Sequence, residues 1–252
     1  MDSYSLPRNA ASGRLLEFKF SNDELLHSEV KAMKIYVFKS VPSVLWGYTR
    51  DLRAMWALEE CGIAYEPIGL DCGPKGLTDE PGFEKISPFK QVPVIDDDGY
   101  ILTESGAILL YLAEKSGKLI PRDLQGRAQV YRWLITSLNN IEMFTLPILL
   151  SDLQGDSNPH AKAQRPWHVE IVERFLPVID KMLQTQPFLT GADFTVADIM
   201  FTCVLREIRK TEILPKYPEV EKYRYRCEER PAFVKVLNAY EDRLGIARGS
   251  AR

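Results

Sequence analysis

The sequence contains no run of about 18 consecutive apolar residues, the minimum for a membrane-spanning helix. Its first 30 residues mix charged and apolar positions, and they lack the apolar core of a secretory signal. Neither sign of charge is in marked excess, because 32 Lys and Arg oppose 35 Asp and Glu for a net charge of -3. We therefore expect a soluble, cytoplasmic protein that binds neither membranes nor nucleic acids.

Cysteine and histidine are scarce, with four and three residues in a chain of 252. Cys61, Cys72, Cys203 and Cys227 show no C-x-x-C spacing, which argues against a dithiol redox motif and against a zinc cluster. The histidines have no ligand partner at a metal-like spacing. The sequence therefore predicts buried or incidental thiols and no metal site.

The chain is long enough for one large domain or two of ordinary size, and 45% of its residues are hydrophobic. Residues 1–32 have no strong periodicity and are expected to form a poorly ordered N-terminal extension. A buried strand is predicted at Ile35–Phe38 and another at Tyr65–Leu70. A helix is predicted between them, because Leu52, Met55 and Trp56 share one helical face.

The segment from Ser87 to Glu114 predicts a hairpin followed by a helix. Val92–Ile95 is a short apolar strand, Asp98-Gly99 is a turn signal, and Tyr100–Leu102 reads as the returning strand. Ser105 then begins an apolar helix, whose free N–H groups form a seat for a carboxylate. A cis Val92-Pro93 bond would present the Val92 backbone to a ligand, and an ordinary trans strand start is the alternative.

Strand signals fade from Leu124 onward, and the apolar spacing becomes helical. We expect residues 118–123, which contain Pro121, to link the first half to an all-helical second half. Pro147 and Pro177 lie inside helical patterns, which predicts a bend or a break at each. Thr195 and Asp198 have the spacing of a capping box at a helix start, so Asp198 is interpreted as structural and not as a catalytic acid.

Three segments together resemble the cytosolic glutathione transferase family, of bacterial type and unassigned class. They are QVPVIDDDGYILTESGAILLYLAE, RDLRAMWALEECGIAYE and FLTGADFTVADIMF. The order of elements in the first half is that of a thioredoxin-like domain. The resemblance thus implies a thioredoxin-like α/β domain at residues 33–117, which binds glutathione, followed by an all-α domain at residues 124–252.

The resemblance also implies how glutathione is held. Glu104 and Ser105 would bind the γ-glutamyl ammonium and carboxylate through charge-assisted contacts. Val92 would pair its backbone with the cysteinyl group, while Gln91 and the nearby Lys90 would reach the glycyl carboxylate. Glu104 serving only the dipole of the following helix is the alternative. The implied glutathione-binding residues are Lys90, Gln91, Val92, Pro93, Glu104 and Ser105.

An enzyme that uses glutathione as a nucleophile gains most by stabilising the thiolate, which is a minor species at pH 7. By resemblance, the hydroxyl donor lies in the turn before the first helix, where Thr49 is the first candidate and Tyr48 and Ser43 are the alternatives. Thr49 acting only as a helix N-cap remains open. No cysteine occupies positions 48 to 50, which argues against a disulfide-reducing member.

The function implied is that of a detoxifying glutathione transferase, acting on a small hydrophobic electrophile and forming a homodimer. A glutathione-dependent isomerase or dehalogenase, or a non-catalytic glutathione-binding member of the fold, is the alternative. The electrophile's pocket is expected between the two domains, with Trp46, Met143 and Phe144 as candidate walls.

Overall fold

The computed structural model describes residues 32–73 and 77–252, and the chain from Ala32 to Arg252 forms one compact unit. Apart from Ala32, the N-terminal extension predicted at residues 1–32 lies outside the described residues. The compact unit begins with a sheet flanked by helices, and it continues as a helical half.

The sheet has four strands in the order β2-β1-β3-β4. The strands are β1 (Met33–Ser40), β2 (Tyr65–Asp71), β3 (Val94–Asp97) and β4 (Tyr100–Leu102). β1 runs parallel to β2 and antiparallel to β3, and β4 is antiparallel to β3. Helix α1 (Asp51–Cys61) connects β1 to β2, and α2 (Ser105–Ser116) follows β4. This β-α-β-β-β-α order confirms the predicted thioredoxin-like half.

The hairpin predicted between Val92 and Leu102 is present. Asp98 and Gly99, the two residues of its turn, both have positive φ, at 53° and 93°. Two consecutive residues of positive φ are what a twist-matched two-residue hairpin turn requires, and Asp-Gly supplies them at low cost. The Val92-Pro93 peptide bond just before β3 is cis.

The second half is helical, as the sequence predicts. Its helices are α3 (Leu124–Ile135), α4 (Met143–Gln154), α5 (Pro159–Leu183), α6 (Val196–Glu207), α7 (Pro218–Glu228) and α8 (Pro231–Leu244). A π-helical segment at Thr136–Glu142 joins α3 to α4. Neither Pro147 in α4 nor Pro177 in α5 ends its helix, so of the bend or break predicted at each, the break is not found and the bend stays a prediction.

The continuous stretch Leu124–Ser157 is long and apolar enough to cross a membrane by length and composition alone. In its most apolar window, however, 44% of the residues are buried inside the protein. Core helices of soluble proteins have the same length and composition, so this stretch carries little information about a membrane.

The two halves share one core. Trp56 of α1 is fully buried and lies with its ring centroid 5.6 Å from Phe194 and 4.5 Å from Phe233. Gly106 of α2 approaches α3 and its π-helical extension so closely that a Cβ there would lie 3.1 Å from Leu134 and Leu138 side-chain atoms. The missing side chain therefore lets the start of α2 pack directly on the helical half.

The capping box predicted at the start of α6 is present. Thr195 is the N-cap, its backbone N–H donates to the Asp198 carboxylate at 2.8 Å, and the reciprocal bond is formed. Asp198 also accepts from the Leu189 N–H and the Tyr223 hydroxyl, both at 2.9 Å. With a fourth bond from the Thr195 hydroxyl at 3.1 Å, each oxygen of this buried carboxylate accepts two hydrogen bonds within the core, which agrees with a structural role.

Candidate functional site

A cavity of about 530 Å³ lies between the sheet side and the helical half. Residues from the β1–α1 connection, the cis-proline turn and the start of α2 line one side of it. Residues of the π-helical segment and of α4 line the other side. Of the predicted site residues, those that line this cavity are Tyr48, Thr49, Gln91, Val92, Pro93, Glu104 and Ser105.

Two of the predicted site residues are not among the described residues that line the cavity. Ser43 begins a short 3₁₀ turn at Ser43–Leu45; Val41 and Leu45 on either side of it line the cavity, but Ser43 does not. Lys90 places its ammonium 4.0 Å from the Glu84 carboxylate. The structure therefore brings Tyr48 and Thr49 to the cavity and leaves the third hydroxyl candidate outside it.

The start of α2 has the geometry of an anion seat. Ser105 is the first residue of the helix and is only 6% exposed, so its hydroxyl and the free N–H groups of the first turn face a sheltered space. Glu104, at the N-cap position, has a φ of 69°. Such a conformation costs a residue with a side chain about 1–3 kcal/mol, and it is concentrated at ligand sites.

Thr49 is held by a tyrosine from the opposite end of the chain. Its hydroxyl donates to the phenolic oxygen of Tyr240 at 3.2 Å, and the Gly47 N–H donates to the same oxygen at 3.3 Å. Burial and then the charge of Asp51 raise the pKa of Tyr240 to about 12, so its phenol stays protonated at pH 7. The start of α1 has no side-chain cap hydrogen bond, and the contact described for the Thr49 hydroxyl is the one to Tyr240, which argues against capping as its role.

A group of charged residues, Arg50, Arg53, Glu142 and Glu207, forms part of the cavity lining. Arg53 of α1, 2% exposed, donates to the Glu142 carboxylate through Nη2 at 2.9 Å and Nη1 at 3.2 Å. Its Nη1 also donates to the Ser105 hydroxyl at 3.4 Å. Arg50 donates to Glu142 as well, at 2.7 Å and 3.0 Å. One guanidinium thus joins the π-helical segment to the start of α2.

The pKa values of Glu142 and Glu207, the two carboxyl groups among these residues, shift in opposite directions. Burial opposes ionisation of Glu142, but the charge and hydrogen bonds of Arg53, and then those of Arg50, outweigh burial and hold the Glu142 pKa below its usual range. Burial, and then the negative charge of Glu142, raise the pKa of Glu207 to about 8. Glu207 also lines the cavity, and it accepts from the Thr145 hydroxyl at 2.7 Å. The cavity floor therefore holds one carboxylate and one mainly protonated acid at pH 7.

Apart from Glu142 and Glu207, the residues that the helical half contributes to the cavity lining are apolar. They are Leu138 of the π-helical segment and Leu146 and Leu150 of α4. The prediction from sequence that Trp46, Met143 and Phe144 form the walls was wrong. Met143 is 55% exposed, Phe144 packs against Trp167 at a centroid distance of 5.7 Å, and neither residue is in the described lining; nor is Trp46.

Sequence reasoning missed four residues of this site: Arg53, Glu142, Glu207 and Tyr240. A signal for Arg53 was present, because it lies three residues after Arg50, on the same helical face, beside the apolar Leu52. Tyr240 had no such signal, since it is 191 residues from Thr49. In the described part of the chain, no group of three or more His, Cys, Asp or Glu residues is arranged to hold a metal ion.

Both halves of the chain match domains of known proteins. Residues 42–114 match the model of the glutathione S-transferase N-terminal domain, and residues 146–239 match the model of a glutathione S-transferase C-terminal domain. The chain is 35% identical to the disulfide-bond oxidoreductase YfcG of Escherichia coli, over 71% of this chain and 86% of that protein.

Solved structures of glutathione transferases are similar to this chain as well. A glutathione transferase family member from Pseudomonas fluorescens with two glutathione molecules bound is 25% identical, with a TM-score of 0.71 over 85% of this chain and 96% of that one. A glutathione transferase from Pseudomonas putida with one glutathione disulfide bound per subunit has the same identity and TM-score, over 85% and 94% of the two chains. The two domain models cover more than half of the chain, and this chain belongs to the soluble glutathione S-transferase family.

Proposed function

We propose that this protein activates the thiol of glutathione for attack on a hydrophobic electrophile. One observation carries the proposal. A single cavity combines an anion seat at Ser105 with an apolar wall of leucines from the helical half. A polar tripeptide and an apolar co-substrate need these two surfaces to face each other.

Glutathione would lie along the sheet side of the cavity. Its γ-glutamyl carboxylate would accept from the Ser105 hydroxyl and the first N–H groups of α2, and its ammonium would pair with Glu104. Arg53 supports this seat, because its guanidinium donates to Ser105 and places positive charge behind the carboxylate. Val92 would bind the cysteinyl backbone beside Pro93, and Gln91 would face the glycyl end with Lys90 nearby.

Thr49 would stabilise the thiolate, with Tyr240 as its support. Both hydroxyls are donors and acceptors, so Thr49 can turn its proton toward the sulfur while it accepts the proton of Tyr240. The start of α1 adds the positive end of its dipole next to Thr49. A hydrogen bond to a charged acceptor contributes about 1.5–3 kcal/mol, which corresponds to about one to two units of thiol pKa.

Glutathione-dependent disulfide reduction is a second candidate, favoured by the 35% identity to a disulfide-bond oxidoreductase. The thiolate would attack one sulfur of a disulfide, forming a mixed disulfide and releasing a thiolate, which takes up a proton. A second glutathione thiolate would then break the mixed disulfide, yielding glutathione disulfide and a second thiol. This route needs no protein cysteine.

Turnover assays distinguish these functions. We expect chloride release from chlorodinitrobenzene with formation of the aryl thioether of glutathione. Formation of glutathione disulfide from hydroxyethyl disulfide, without thioether product, would instead establish the reductase. Consumption of a haloalkane or isomerisable substrate with glutathione returned unchanged would favour a dehalogenase or isomerase. Calorimetric glutathione binding without any turnover would identify a non-catalytic member of the fold.

Replacing Thr49 by alanine is expected to raise the pKa of the bound glutathione thiol by about one to two units, because one donor to the thiolate is lost. The turnover rate at pH 7 should fall by about tenfold or more, because a smaller fraction of the bound glutathione is thiolate. Ultraviolet titration of the thiolate in the complex measures the pKa directly.

Thr49→Ser keeps the hydroxyl and should leave the titration close to that of the parent protein. Tyr240→Phe keeps the ring but removes the support of Thr49, so a smaller shift in the same direction is expected. A titration that moves in Tyr48→Phe and stays unmoved in Thr49→Ala would transfer the role to Tyr48.

We also propose a cytoplasmic homodimer. β4 is an edge strand, and its Tyr100 and Ile101 are 52% and 37% exposed. On α3, Leu124 and Ile135 are 80% and 58% exposed. Exposed apolar residues and an unpaired strand edge are usually covered in a stable protein. Light scattering should give about twice the 28.8 kDa chain mass, and a monomer at micromolar concentration would contradict the proposal.

A further inference from the structure

Residues 247–252 follow α8 and form a strap that folds back onto the protein. Glu241 of α8 holds this strap, because its Oε2 accepts from the Gly249 N–H and its Oε1 from the Ala251 N–H, each at 3.0 Å. Glu241 is 1% exposed and Ala251 is completely buried, so these contacts meet little competition from water. A buried carboxylate, and not loose surface packing, thus fixes the path of the strap.

The strap lies against the donor loop, residues 46–49, which contains the hydroxyl candidates Tyr48 and Thr49. Gly47 in this loop has a φ of 77°, and a Cβ there would overlap the Ala251 carbonyl oxygen. A residue with a side chain would be strained at this φ and would collide with the strap. The two segments therefore touch backbone to backbone, and a displacement of the strap would leave a gap beside the donor loop.

Arg206 of α6 joins the strap to the donor loop. Its Nη2 donates to the Ala251 carbonyl at 2.6 Å, and Nη2 and Nε both donate to the Gly47 carbonyl at 3.3 Å. The side chain is 1% exposed, and its Nη1 donates to Glu228 at 2.9 Å, which fixes the orientation of the guanidinium. Hydrogen bonds from a charged donor are stronger than those between neutral groups, and burial strengthens them further. One side chain thus holds both segments in a fixed mutual position.

Arg209, three residues after Arg206, holds the aromatic side of the donor loop. Its guanidinium lies 3.8 Å from the ring centroid of Tyr48. Its Nη2 donates to the Trp46 carbonyl at 3.4 Å and to the Ala251 carbonyl at 3.3 Å. A guanidinium stacked on an aromatic face is attracted by the negative charge of that face, so Arg209 restrains the Tyr48 ring as well as the loop backbone.

Two neighbouring residues of α8 support the two segments. Tyr240 accepts from the Gly47 N–H and from the Thr49 hydroxyl, and Glu241 accepts from the strap. Helix α8 therefore carries the donor loop and the strap together, and Arg206 closes the contact between them from α6.

We propose that the strap positions the donor loop so that its hydroxyl meets the glutathione sulfur, with Arg206 and the Ala251 carbonyl as the positioning groups. This inference rests on the proposed function, because it concerns the support of the hydroxyl that stabilises the thiolate. Neither Arg206 nor Ala251 is among the described residues that line the cavity, so both act through the loop and not on the ligand. A hydrogen bond weakens steeply when its distance or angle departs from the optimum, and a small shift of the loop is enough to lose it.

Gly249→Pro in the full chain tests the strap. Gly249 is exposed and has a φ of 86°, which proline cannot adopt, and proline lacks the N–H that Glu241 accepts. The strap should therefore leave the donor loop while the core stays folded. Ultraviolet titration of the thiolate in the glutathione complex should show a thiol pKa raised by about half a unit to one unit. We expect kcat at pH 7 to fall about three- to tenfold, with KM for glutathione changed by less than about twofold.

Three further variants separate positioning from other effects. Gly249→Asn keeps the N–H, tolerates positive φ and has no atom within 4 Å of its Cβ, so it should titrate close to the parent protein. Arg206→Lys keeps the charge but lacks the fork that reaches both carbonyls, so it should raise the thiol pKa as Gly249→Pro does. Arg248→Gln is the matched control within the strap. Arg248 is exposed, its described contacts are to Asp242 and Asn238 of α8, and its removal should change nothing.

The outcomes distinguish the strap from the proposed function. If the parent protein lowers the thiol pKa of bound glutathione but neither Gly249→Pro nor Arg206→Lys raises it, the strap has no positioning role and the proposed function stands. A lower urea midpoint of unfolding in these two variants, with an unchanged thiol pKa, would likewise show that the strap only stabilises the fold. A parent protein that leaves the thiol pKa of bound glutathione at its value in water would reject the proposed function, and the role of the strap with it.

Discussion

Replacing Arg53 by methionine is expected to lower the free energy of unfolding by about 3 kcal/mol, as removal of one partner from a buried ion pair does. The 2%-exposed guanidinium of Arg53 makes two hydrogen bonds to Glu142, whose side chain is 6% exposed. Arg50 would still contact Glu142, but it is 44% exposed and water screens its charge. For this reason the expected loss lies at the low end of the range for broken buried pairs. Urea unfolding at fixed protein concentration measures it.

The pH dependence of this loss follows from the pKa of Glu142. Arg53 and Arg50 hold that pKa below its usual value of 4.5, so the pair stabilises the fold above about pH 4.5, and the stabilisation disappears as the pH falls through the lowered pKa. The difference between the parent protein and Arg53→Met should therefore shrink in acid. A difference that stays constant down to pH 3 would mean that lost packing, and not the ion pair, causes the effect.

Glu207→Gln is the matched control from the same charged group. The raised pKa of about 8 keeps Glu207 mainly protonated at pH 7, so glutamine replaces one neutral, hydrogen-bonding side chain by another of similar shape. We expect a loss below about 1 kcal/mol at pH 7. A loss as large as that of Arg53→Met would show that Glu207 is ionised in the folded protein.

Replacing Ser105 by alanine is expected to weaken glutathione binding by about 1.5–3 kcal/mol, or about ten- to a hundredfold, because a charge-assisted hydrogen bond to a sheltered carboxylate is lost. The affinity for glutathione should fall for a second reason. The Ser105 hydroxyl is held by Arg53 at 3.4 Å, so its direction toward the ligand is fixed before binding. Calorimetric titration with glutathione measures the affinity, and Glu104→Ala should reduce it through the ammonium.

Cys72→Ser is the matched control, since Cys72 lines the same cavity and the substitution changes one atom. Burial raises the pKa of this thiol, which keeps it neutral at pH 7, so glutathione affinity should not change. Unchanged affinity in both Ser105→Ala and Glu104→Ala would reject the anion seat, and a loss confined to Cys72→Ser would point to a mixed disulfide.

Local features of the site were predictable because short segments determine them. The hairpin, the α2 start at Ser105 and the capping box at Thr195 each depend on residues within about ten positions of one another, where turn chemistry and helix periodicity act directly. Two questions that the sequence left open also concern local structure: the isomer of the Val92-Pro93 bond and the capping of α1 by Thr49. The Val92-Pro93 bond is cis, and the Thr49 hydroxyl bonds Tyr240 while the start of α1 has no side-chain cap hydrogen bond.

The apolar walls were predicted less well. Helical spacing places Met143 and Phe144 on α4, but it does not say which face of α4 meets the cavity. The π-helical segment just before α4 inserts extra residues per turn, which rotates the following face relative to a regular helix. As a result Leu146 and Leu150 line the cavity, while Met143 faces solvent.

The sequence by itself determined the thioredoxin-like order of strands and helices and the helical second half, because propensity, periodicity and turn chemistry act over short distances. The candidate glutathione residues came instead from the resemblance of short segments to the family. Only the tertiary structure decided which distant groups meet. It brought Tyr240 to Thr49 across 191 residues, and Glu142 to Arg53 across 89. It also gathered three arginines around one glutamate on the helical half. Charges and hydroxyls carry no periodic signal of their partners, so their pairing, burial and pKa follow from packing alone.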